Sequence, residues 1–364
     1  MRNAIALLAL LVLFITCTSG AVTTMSKTKK VRCAFGLPLD SGPFKGKSHA
    51  EAAKLLTEMG VDSVCACPQN AELIEALHAA GIKAYAEISV FIGKQHWEAH
   101  PESHPINSDG KPIAAPVPGY CGVCPNQEWL RKELLDKVSK RFQEFEYDGL
   151  WLDFIRYPGR WEGKEPVLEE CCFCDVCLTK FAKSKGIAYP TDLKSTHDKA
   201  HWILAKHRAA WTQFKCDTIT NFAAQLKQTM QAQRPYALLA IFNVPWTKDE
   251  FSGAVINQLG QDIKALAKYV DVYSPMVYHL YCQRPMNWIA DYTNWVHKTT
   301  GKAVWPIVQT VDEPEGTKMS GDEVYRTLRT GLDAAGSDGV MPFTFASVVE
   351  NPAKLEALKK VFVE

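Results

Sequence analysis

Eight short apolar runs recur along the chain, and each is followed by a loop and then by a stretch with helical periodicity. Most of these runs are nearly continuous in apolar residues, which is typical of parallel strands covered on both faces. The predicted strands are residues 31–39, 61–68, 82–91, 147–157, 236–244, 270–279, 303–311 and 339–345. Eight strand-and-helix units in succession predict an α/β fold, a (β/α)8 TIM barrel.

The segments between the runs place apolar residues at helical spacing, and glycines mark where several of them end. The clearest predicted helices are residues 49–59, 71–80, 127–145, 287–299 and 322–335. An open doubly wound sheet is the alternative architecture. The segment after the first strand, residues 40–46, lacks the glycine fingerprint of a dinucleotide site, which favours the barrel.

Two connections are longer than the others. Residues 89–125 follow the third predicted strand, and residues 158–197 follow the fourth and lead into a long helix that reaches about Gln231. In a barrel these loops lie at the C-terminal face, where barrel enzymes hold their active sites. Long loops at that face are more often functional than accidental, so the ends of strands three and four are the predicted site.

The N-terminus has the pattern of an export signal. Arg2 precedes an apolar run over residues 4–15, and small residues follow as far as Ala21. The run is shorter than the ~20 residues that span a bilayer as a helix. We therefore expect residues 1–21 to be a cleaved signal peptide, residues 30–364 to form a single barrel domain, and the protein to be secreted or periplasmic. A lipid-modified Cys17 is the weaker alternative, because Phe-Ile-Thr precedes it.

Composition excludes several other functions. The 41 basic and 40 acidic residues nearly cancel, and no concentrated basic block predicts a nucleic-acid partner. The sequence contains no Gly-x-Ser-x-Gly elbow, no phosphate-binding Gly-Lys-Ser/Thr loop and no His-Glu-x-x-His motif. The first strand also lacks the His-x-His pair of metal-dependent amidohydrolase barrels. Nothing in the pattern predicts an oligomeric state.

The fourth predicted strand ends in the most informative segment, residues 147–158. Because side chains alternate along a strand, Gly149, Trp151 and Asp153 share one face. A carboxylate at the end of such an apolar strand costs several kcal/mol to desolvate unless a partner or a function uses it. Asp153 is therefore the leading catalytic candidate. The alternative is an ion pair with Arg156 that only pins the loop.

Residues 148–158, Asp-Gly-Leu-Trp-Leu-Asp-Phe-Ile-Arg-Tyr-Pro, resemble the fourth-strand signature of the glycosyl hydrolase-like 10 group of barrel proteins. Residues 270–278 are similar to the sixth strand of the same group, and their Met-x-Tyr ending also occurs in chitinase-type barrels. The resemblance runs from about Val31 to Phe362. It implies a glycosidase-type TIM barrel that acts on carbohydrate and needs no cofactor for catalysis.

Glycoside hydrolysis commonly uses two carboxylates. Glu87, near the end of the third predicted strand, occupies the same kind of position as Asp153 and is the preferred second acid. Asp40, Asp312 and Glu313 follow other strands and are the alternatives. A substrate-assisted mechanism, as in chitinase-type barrels, needs no second protein carboxylate as nucleophile.

Polar and aromatic residues at or just after the strand ends suit a sugar, which presents both hydroxyl groups and C–H faces. Any one of the aromatic residues can equally be a core residue, but aromatic residues recur at the same end of successive strands. At the eighth strand, Phe343 is the alternative to Phe345. The predicted substrate contacts are Arg156, Tyr157, Asn243, Trp246, Tyr278, His279, Gln309, Asp312 and Phe345.

Six of the twelve cysteines lie in the same two long loops. Cys172, Cys174 and Cys177, followed by Phe181, are similar to the zinc-binding loop of glycoside hydrolase family 42 β-galactosidases, although the catalytic glutamate of that family's fourth strand is absent. Either Cys121 or Cys124 can supply a fourth thiolate for a tetrahedral zinc site. Disulfides are the alternative, since export favours them.

These features predict a glycoside hydrolase that uses carboxylate acid/base catalysis, with a structural zinc ion at the cysteines. A barrel that binds carbohydrate without catalysing its cleavage is the first alternative. Another polysaccharide-active barrel enzyme, such as a lyase or a transglycosylase, is the second.

Overall fold

The computed structural model describes residues 29–115, 120–313 and 316–364, and the predicted signal peptide lies outside them. The described residues form one closed, parallel sheet surrounded by helices. Its strands are β1 (Val31–Phe35), β2 (Ser63–Cys65), β3 (Lys83–Ser89), β4 (Gly149–Asp153), β5 (Leu238–Asn243), β6 (Val272–Val277), β7 (Ala303–Val304), β8 (Ile307–Gln309) and β9 (Gly339–Phe343).

These nine strands occupy eight positions around the barrel. Both β7 and β8 pair with β6, and Pro306, which has no N–H to donate to a neighbour, lies between them. Pairing of β5 with β6 and of β1 with β9 closes the sheet. The predicted (β/α)8 TIM barrel is therefore confirmed, with the seventh strand interrupted once.

The helices surround the sheet, and each of the five clearest predicted helices has an observed counterpart whose ends differ by no more than two residues. None of the helices in the described ranges is long and apolar enough to cross a membrane. The helices are α1 (His49–Glu58), α2 (Ala71–Ala79), α3 (Lys94–Ala99), α4 (Glu128–Glu144), α5 (Asp175–Lys185), α6 (Thr196–Lys206), α7 (Arg208–Gln233), α8 (Ala254–Asn257), α9 (Ile263–Leu266), α10 (Trp288–Thr300), α11 (Gly321–Asp333), α12 (Phe345–Val349) and α13 (Pro352–Phe362).

Local chemistry sets several helix ends. Ser48 and Glu51 form a capping box at the start of α1, which satisfies backbone N–H groups of its first turn. After α1, Gly60 adopts φ +78°, and a Cβ there would lie 2.3 Å from the carbonyl oxygen of Phe362. Only glycine fits this position, because the left-handed backbone and the close packing of α13 both exclude a side chain.

Alternation along the strands divides the core into two layers. Leu150 and Leu152 of β4 pack outward against the helices, whereas Trp151 of the same strand faces the barrel interior. The rings of Tyr85 and Trp305 lie 4.6 and 5.2 Å from Trp151. The indole N–H of Trp151 donates to Ser274 Oγ at 3.0 Å. This aromatic group fills the middle of the barrel and forms a floor beneath the C-terminal strand ends.

Candidate active site

Asp153 is the last residue of β4, and its carboxylate occupies the interior face above the aromatic floor. The backbone N–H of Phe154 donates to Asp153 Oδ1 at 2.7 Å. Phe154 adopts φ 49°, a left-handed conformation that is unusual for a bulky residue and that turns the chain sharply at the strand end. Burial is the main cause that raises the pKa of Asp153, to about 6, and the charge of Glu162 adds to it.

Arg156 lies close to Asp153 in sequence, but its guanidinium is used elsewhere. It donates to the carbonyl oxygens of Tyr157 and Gly159, at 3.3 and 2.7 Å, and to the hydroxyl of Tyr120. Within the described ranges Asp153 has no ion pair within 4.0 Å. Arg156 lowers the pKa of Asp153 only through its charge, so the interpretation of Asp153 as an ion-pair anchor is not what the structure shows.

Glu87 faces the same interior from the neighbouring strand. Ser89 pairs in register with Asp153, and Glu87 stands two positions earlier on β3, so the backbones of the two acids are on the order of 8 Å apart. The Ser89 hydroxyl donates to Glu87 Oε1 at 3.3 Å. Burial, and then the charge of Asp153, raise the pKa of Glu87 to about 7. The structure thus brings together the two acids selected from the sequence.

Glu162 is a third acid at this site, and it is not among the acids predicted from the sequence. It is half-buried in the loop after β4, and its Oε2 atom is buried without a hydrogen-bond partner in the described part of the chain. Its charge raises the pKa of Asp153 and of Tyr278, which shows that the three groups lie near one another. Glu162 follows the strand end by nine residues, and no sequence pattern reveals where such a loop returns to the barrel.

An aromatic wall stands beside the acids. The ring of Tyr278 stacks on Phe343 at a centroid distance of 4.7 Å, and the ring of Trp161 lies 5.6 Å from Tyr278. Phe35 packs against Phe343 at 5.8 Å. Burial and the charge of Asp153 raise the pKa of Tyr278. Of the predicted sugar contacts, Tyr278 therefore lies with the acids, and Phe343 takes the place that was considered for Phe345.

Other predicted contacts are buried or occupied by protein partners. Phe345 is fully buried and packs on Phe44 at 6.0 Å, outside the barrel interior. Asp312 accepts from the Met319 N–H and pairs with Lys354 at 3.0 Å, and these contacts lower its pKa to about 2. Asp312 is thus held as an anion by a neighbouring cation.

Four further predicted contacts lie within, or just after, strands β5, β6 and β8. Asn243 and Trp246 are buried, and the Asn243 Oδ1 atom has no partner in the described part of the chain. His279 pairs with Glu323 at 3.0 Å. Gln309 accepts from the backbone N–H of Tyr281 and donates to the carbonyl of Val311, both at 3.1 Å. Gln309 and His279 therefore already have protein partners.

The predicted metal ligands converge behind the site. The sulfur atoms of Cys124, Cys172, Cys174 and Cys177 all lie within 4.8 Å of one another, and all four residues are buried. Cys124 Sγ is 3.4 Å from Cys177 Sγ and 3.6 Å from Cys174 Sγ, distances far longer than the ~2.05 Å of a disulfide. Four thiols grouped in this way can hold one metal ion. We refer to these four residues as the cysteine group.

Cys121 lies outside the cysteine group, which corrects its inclusion among the predicted metal ligands. Between Cys121 and Cys124 the chain makes a β-bridge from Gly122 to Ile92, and only the later cysteine reaches the other three sulfurs. Of the two alternatives in the first loop, the structure selects Cys124.

The cysteine group also contacts the segment that follows Asp153. The side-chain amide of Asn126 donates to Cys177 Sγ at 3.3 Å and to the hydroxyl of Tyr157 at 3.0 Å. Tyr157 is fully buried there, so this predicted substrate contact belongs to the packing around the cysteines. The neighbouring thiols hold the pKa of Cys174 well below its ordinary value by donating hydrogen bonds to its thiolate.

No family model matches the sequence, and no curated protein matches it either, so the resemblance to the glycosyl hydrolase-like 10 group stays a prediction. Solved structures do match the fold. The glycoside hydrolase domain of PgaB (BpsB) from Bordetella bronchiseptica superimposes with a TM-score of 0.68 at 12% identity, over 92% of this chain and 98% of that domain.

Two β-galactosidases match over a similar share of this chain. The enzyme from Marinomonas ef1 has a TM-score of 0.64 at 12% identity, covering 92% of this chain and 59% of its own. Gan42B, a GH42 β-galactosidase from G. stearothermophilus, has a TM-score of 0.62 at 12% identity, covering 93% and 56%. The chain thus spans little more than half of each β-galactosidase. At this identity the matches establish the fold alone, a TIM barrel.

Proposed function

We propose that this protein is a glycoside hydrolase whose chemistry is carried by Asp153. The observation that supports this most directly is an acid with a raised pKa, free of ion pairs among the described residues, at the C-terminal end of an inner barrel strand. Barrel enzymes place their catalytic groups at that end. A buried carboxylate without a neutralising partner destabilises the fold, and a catalytic role explains why the chain retains it.

Asp153 and Glu87 divide the two tasks of glycoside hydrolysis. The pKa of Glu87, about 7, leaves this carboxyl protonated through the mildly acidic range, so it can donate a proton to the leaving oxygen. Asp153, with a pKa of about 6, ionises first and acts as nucleophile or base. Glu162 acts on Asp153 through its charge, which raises the pKa of that carboxyl.

The aromatic wall and the fold neighbours favour a carbohydrate substrate. Phe343 is partly exposed beside the acids and is supported by the buried ring of Tyr278, and sugar C–H faces stack on such a ring. The structural neighbours include a glycoside hydrolase domain and β-galactosidases, which supports hydrolysis of a glycosidic bond.

The cysteine group is proposed to bind one structural zinc ion. Tetrahedral zinc with Zn–S bonds of ~2.3 Å places its sulfurs ~3.8 Å apart, close to the 3.4 and 3.6 Å found here. N–H groups of Asn126 and Ile106 donate to Cys177 and Cys172, as expected around thiolates. All four positions are taken by protein sulfur, so the ion would brace the two long loops and take no part in catalysis.

Turnover on a broad panel of oligosaccharides and polysaccharides tests the proposal, with the Asp153→Asn variant as the negative control. Release of reducing ends by the wild-type protein alone supports glycoside hydrolysis. Binding without turnover in both proteins would favour a carbohydrate-binding barrel. Products with an unsaturated sugar would indicate a lyase, and transferred products a transglycosylase.

A further inference from the structure

A second group of metal-binding side chains lies on the surface of the two long connections. His197 and His201 stand one turn apart on α6, and Asp109, from the connection after β3, lies beside them. One ligand atom from each residue lies within 4.8 Å of the others. The two imidazole rings are 4.2 Å apart between centroids, and His201 Nε2 is 4.0 Å from Asp109 Oδ1.

The turn that carries Asp109 is held by its own hydrogen bonds. Asn107 Oδ1 accepts the backbone N–H groups of Asp109 and Lys111, at 3.1 and 2.9 Å. Asn107 Nδ2 donates to Glu169 at 2.8 Å, which ties the turn to the connection after β4. Gly110 takes φ +78° where the turn packs on the first residues of α6. The carboxylate is therefore presented to the two histidines by a turn with a defined position.

The histidines are oriented as well. Nδ1 of His197 is 3.4 Å from Asp198 Oδ1, and Asp198 belongs to the capping box that starts α6. A carboxylate beside an imidazole fixes the ring and raises its basicity, as the outer partners of metal ligands do. Two histidines four residues apart on a helix present both rings on one face, the spacing that helical zinc sites use.

We infer that Asp109, His197 and His201 form a surface site for a divalent transition-metal ion. Two imidazoles and one carboxylate suit Ni²⁺, Cu²⁺ or Zn²⁺, whereas Mg²⁺ and Ca²⁺ prefer oxygen ligands throughout. Metal–ligand bonds of ~2.1 Å require the donor atoms to approach to ~3.4 Å. All three side chains are exposed, so small rotations bring the donors together, and water completes the coordination.

Occupancy of this site would have a structural consequence. Asp109 belongs to the connection after β3, and both histidines lie on α6, where the connection after β4 ends. The ion therefore links the same two connections that the cysteine group joins from within. Because a ligand that binds only the folded state stabilises it, binding raises the melting temperature. The inference is independent of the proposed catalytic activity.

Titration calorimetry with Ni²⁺ tests the inference on the full mature chain, purified without a histidine tag and with its native metal content. We expect one Ni²⁺ per chain, a rise in melting temperature, and no sulfur-to-nickel charge-transfer band. His201→Ala and Asp109→Asn should each weaken binding roughly 10- to 100-fold. His49→Ala is the matched control and should leave binding unchanged, since His49 lies 3.9 Å from Glu72 and belongs to neither group of metal-binding side chains among the described residues.

Three results would overturn the inference. The first is a wild-type protein that takes up no Ni²⁺. The second is equal affinity in the wild type and in His201→Ala. The third is a charge-transfer band that persists in His201→Ala, because it would assign the bound nickel to cysteine sulfur. Since the substituted side chains are exposed, the variants without added Ni²⁺ should melt at the temperature of the wild type without added Ni²⁺, which checks that each variant is folded.

Discussion

Arg156 does not neutralise Asp153, although the two residues are only three positions apart. The guanidinium binds the carbonyl oxygens of Tyr157 and Gly159 and the Tyr120 hydroxyl, while the Asp153 carboxylate accepts from the Phe154 N–H. Arg156 thus holds the loop after β4 in place, and the Asp153 carboxylate remains available at the mouth of the barrel. Because the two side chains have separate partners, an ion-pair role and a catalytic role for Asp153 predict different experimental results.

Asp153→Asn should abolish turnover and leave the fold intact. Loss of a carboxylate that serves as nucleophile or base lowers kcat by at least ~10²–10⁴-fold. Because the folded-state pKa is raised to about 6, the ionised carboxylate costs stability at higher pH, where the unfolded group is also ionised. The variant should therefore melt at or above the wild-type temperature at pH 8, with no such gain near pH 4. Circular dichroism melts at the two pH values measure this.

Asp148→Asn is the matched control, at the other end of the same strand. Asp148 pairs with Lys83 at 2.8 Å and with His78 at 2.9 Å. Its loss should lower the melting temperature and leave turnover per folded molecule unchanged. A stable Asp153→Asn protein with near-normal activity would remove Asp153 from the mechanism.

The activity should depend on pH in a bell shape, with an optimum between about pH 6 and 7. Below about pH 6 Asp153 becomes protonated, and above about pH 7 Glu87 loses the proton that it must donate. Glu87→Gln should lower kcat by ~10²–10⁴-fold and remove the alkaline limb. Activated aryl glycosides have leaving groups that need little protonation. They should restore much of the rate of Glu87→Gln but none of the rate of Asp153→Asn. An unchanged alkaline limb in Glu87→Gln would contradict this assignment.

Glu162→Gln should shift the acidic limb of that profile to lower pH. The charge of Glu162 raises the pKa of Asp153, so its removal lets Asp153 ionise in more acidic solution. The maximal rate should change by less than about tenfold, because Glu162 acts through Asp153. A loss of 100-fold or more would instead identify Glu162, and not Glu87, as the second catalytic carboxylate. Full pH–rate profiles of the wild type, Glu87→Gln and Glu162→Gln provide the comparison.

The cysteine group should hold about one zinc ion per chain in protein purified without added metal. Cys177→Ser should lose the ion, because it removes one of the four ligands. The melting temperature should fall by roughly 5 °C or more, because the ion joins both loops. Cys121→Ser should retain the ion, since Cys121 lies outside the group. Elemental analysis of both variants is the measurement. Metal-free wild-type protein with oxidised thiols would support disulfides.

The mature protein should begin near Ala21 or Val22 and be found outside the cytoplasm. Arg2, the apolar run over residues 4–15 and the small residues that follow form a pattern that signal peptidases cleave. N-terminal sequencing of natively expressed protein tests this. An intact form that begins at Met1 and stays in the cytosol would contradict it.

Local sequence patterns are enough to predict the barrel and the position of the leading acid. Eight buried apolar runs alternating with helical stretches are readable without coordinates, because strand and helix periodicities are local properties. The alternation of Trp151 and Asp153 within β4 is equally local, so the acid could be placed on the inner face. The cysteine spacing likewise predicted a metal site at Cys172, Cys174 and Cys177, and the structure brings these together.

Which distant side chains meet becomes visible only in the folded barrel. It selected Cys124 over Cys121, placed Phe345 in the outer core and paired Asp312 with Lys354. It also brought Glu162 to Asp153 from a loop whose path no periodicity describes. The physical reason is that strand and helix patterns record which face of an element is buried. The partners of a loop residue depend on how the whole chain packs, and neighbouring residues in the sequence do not encode that.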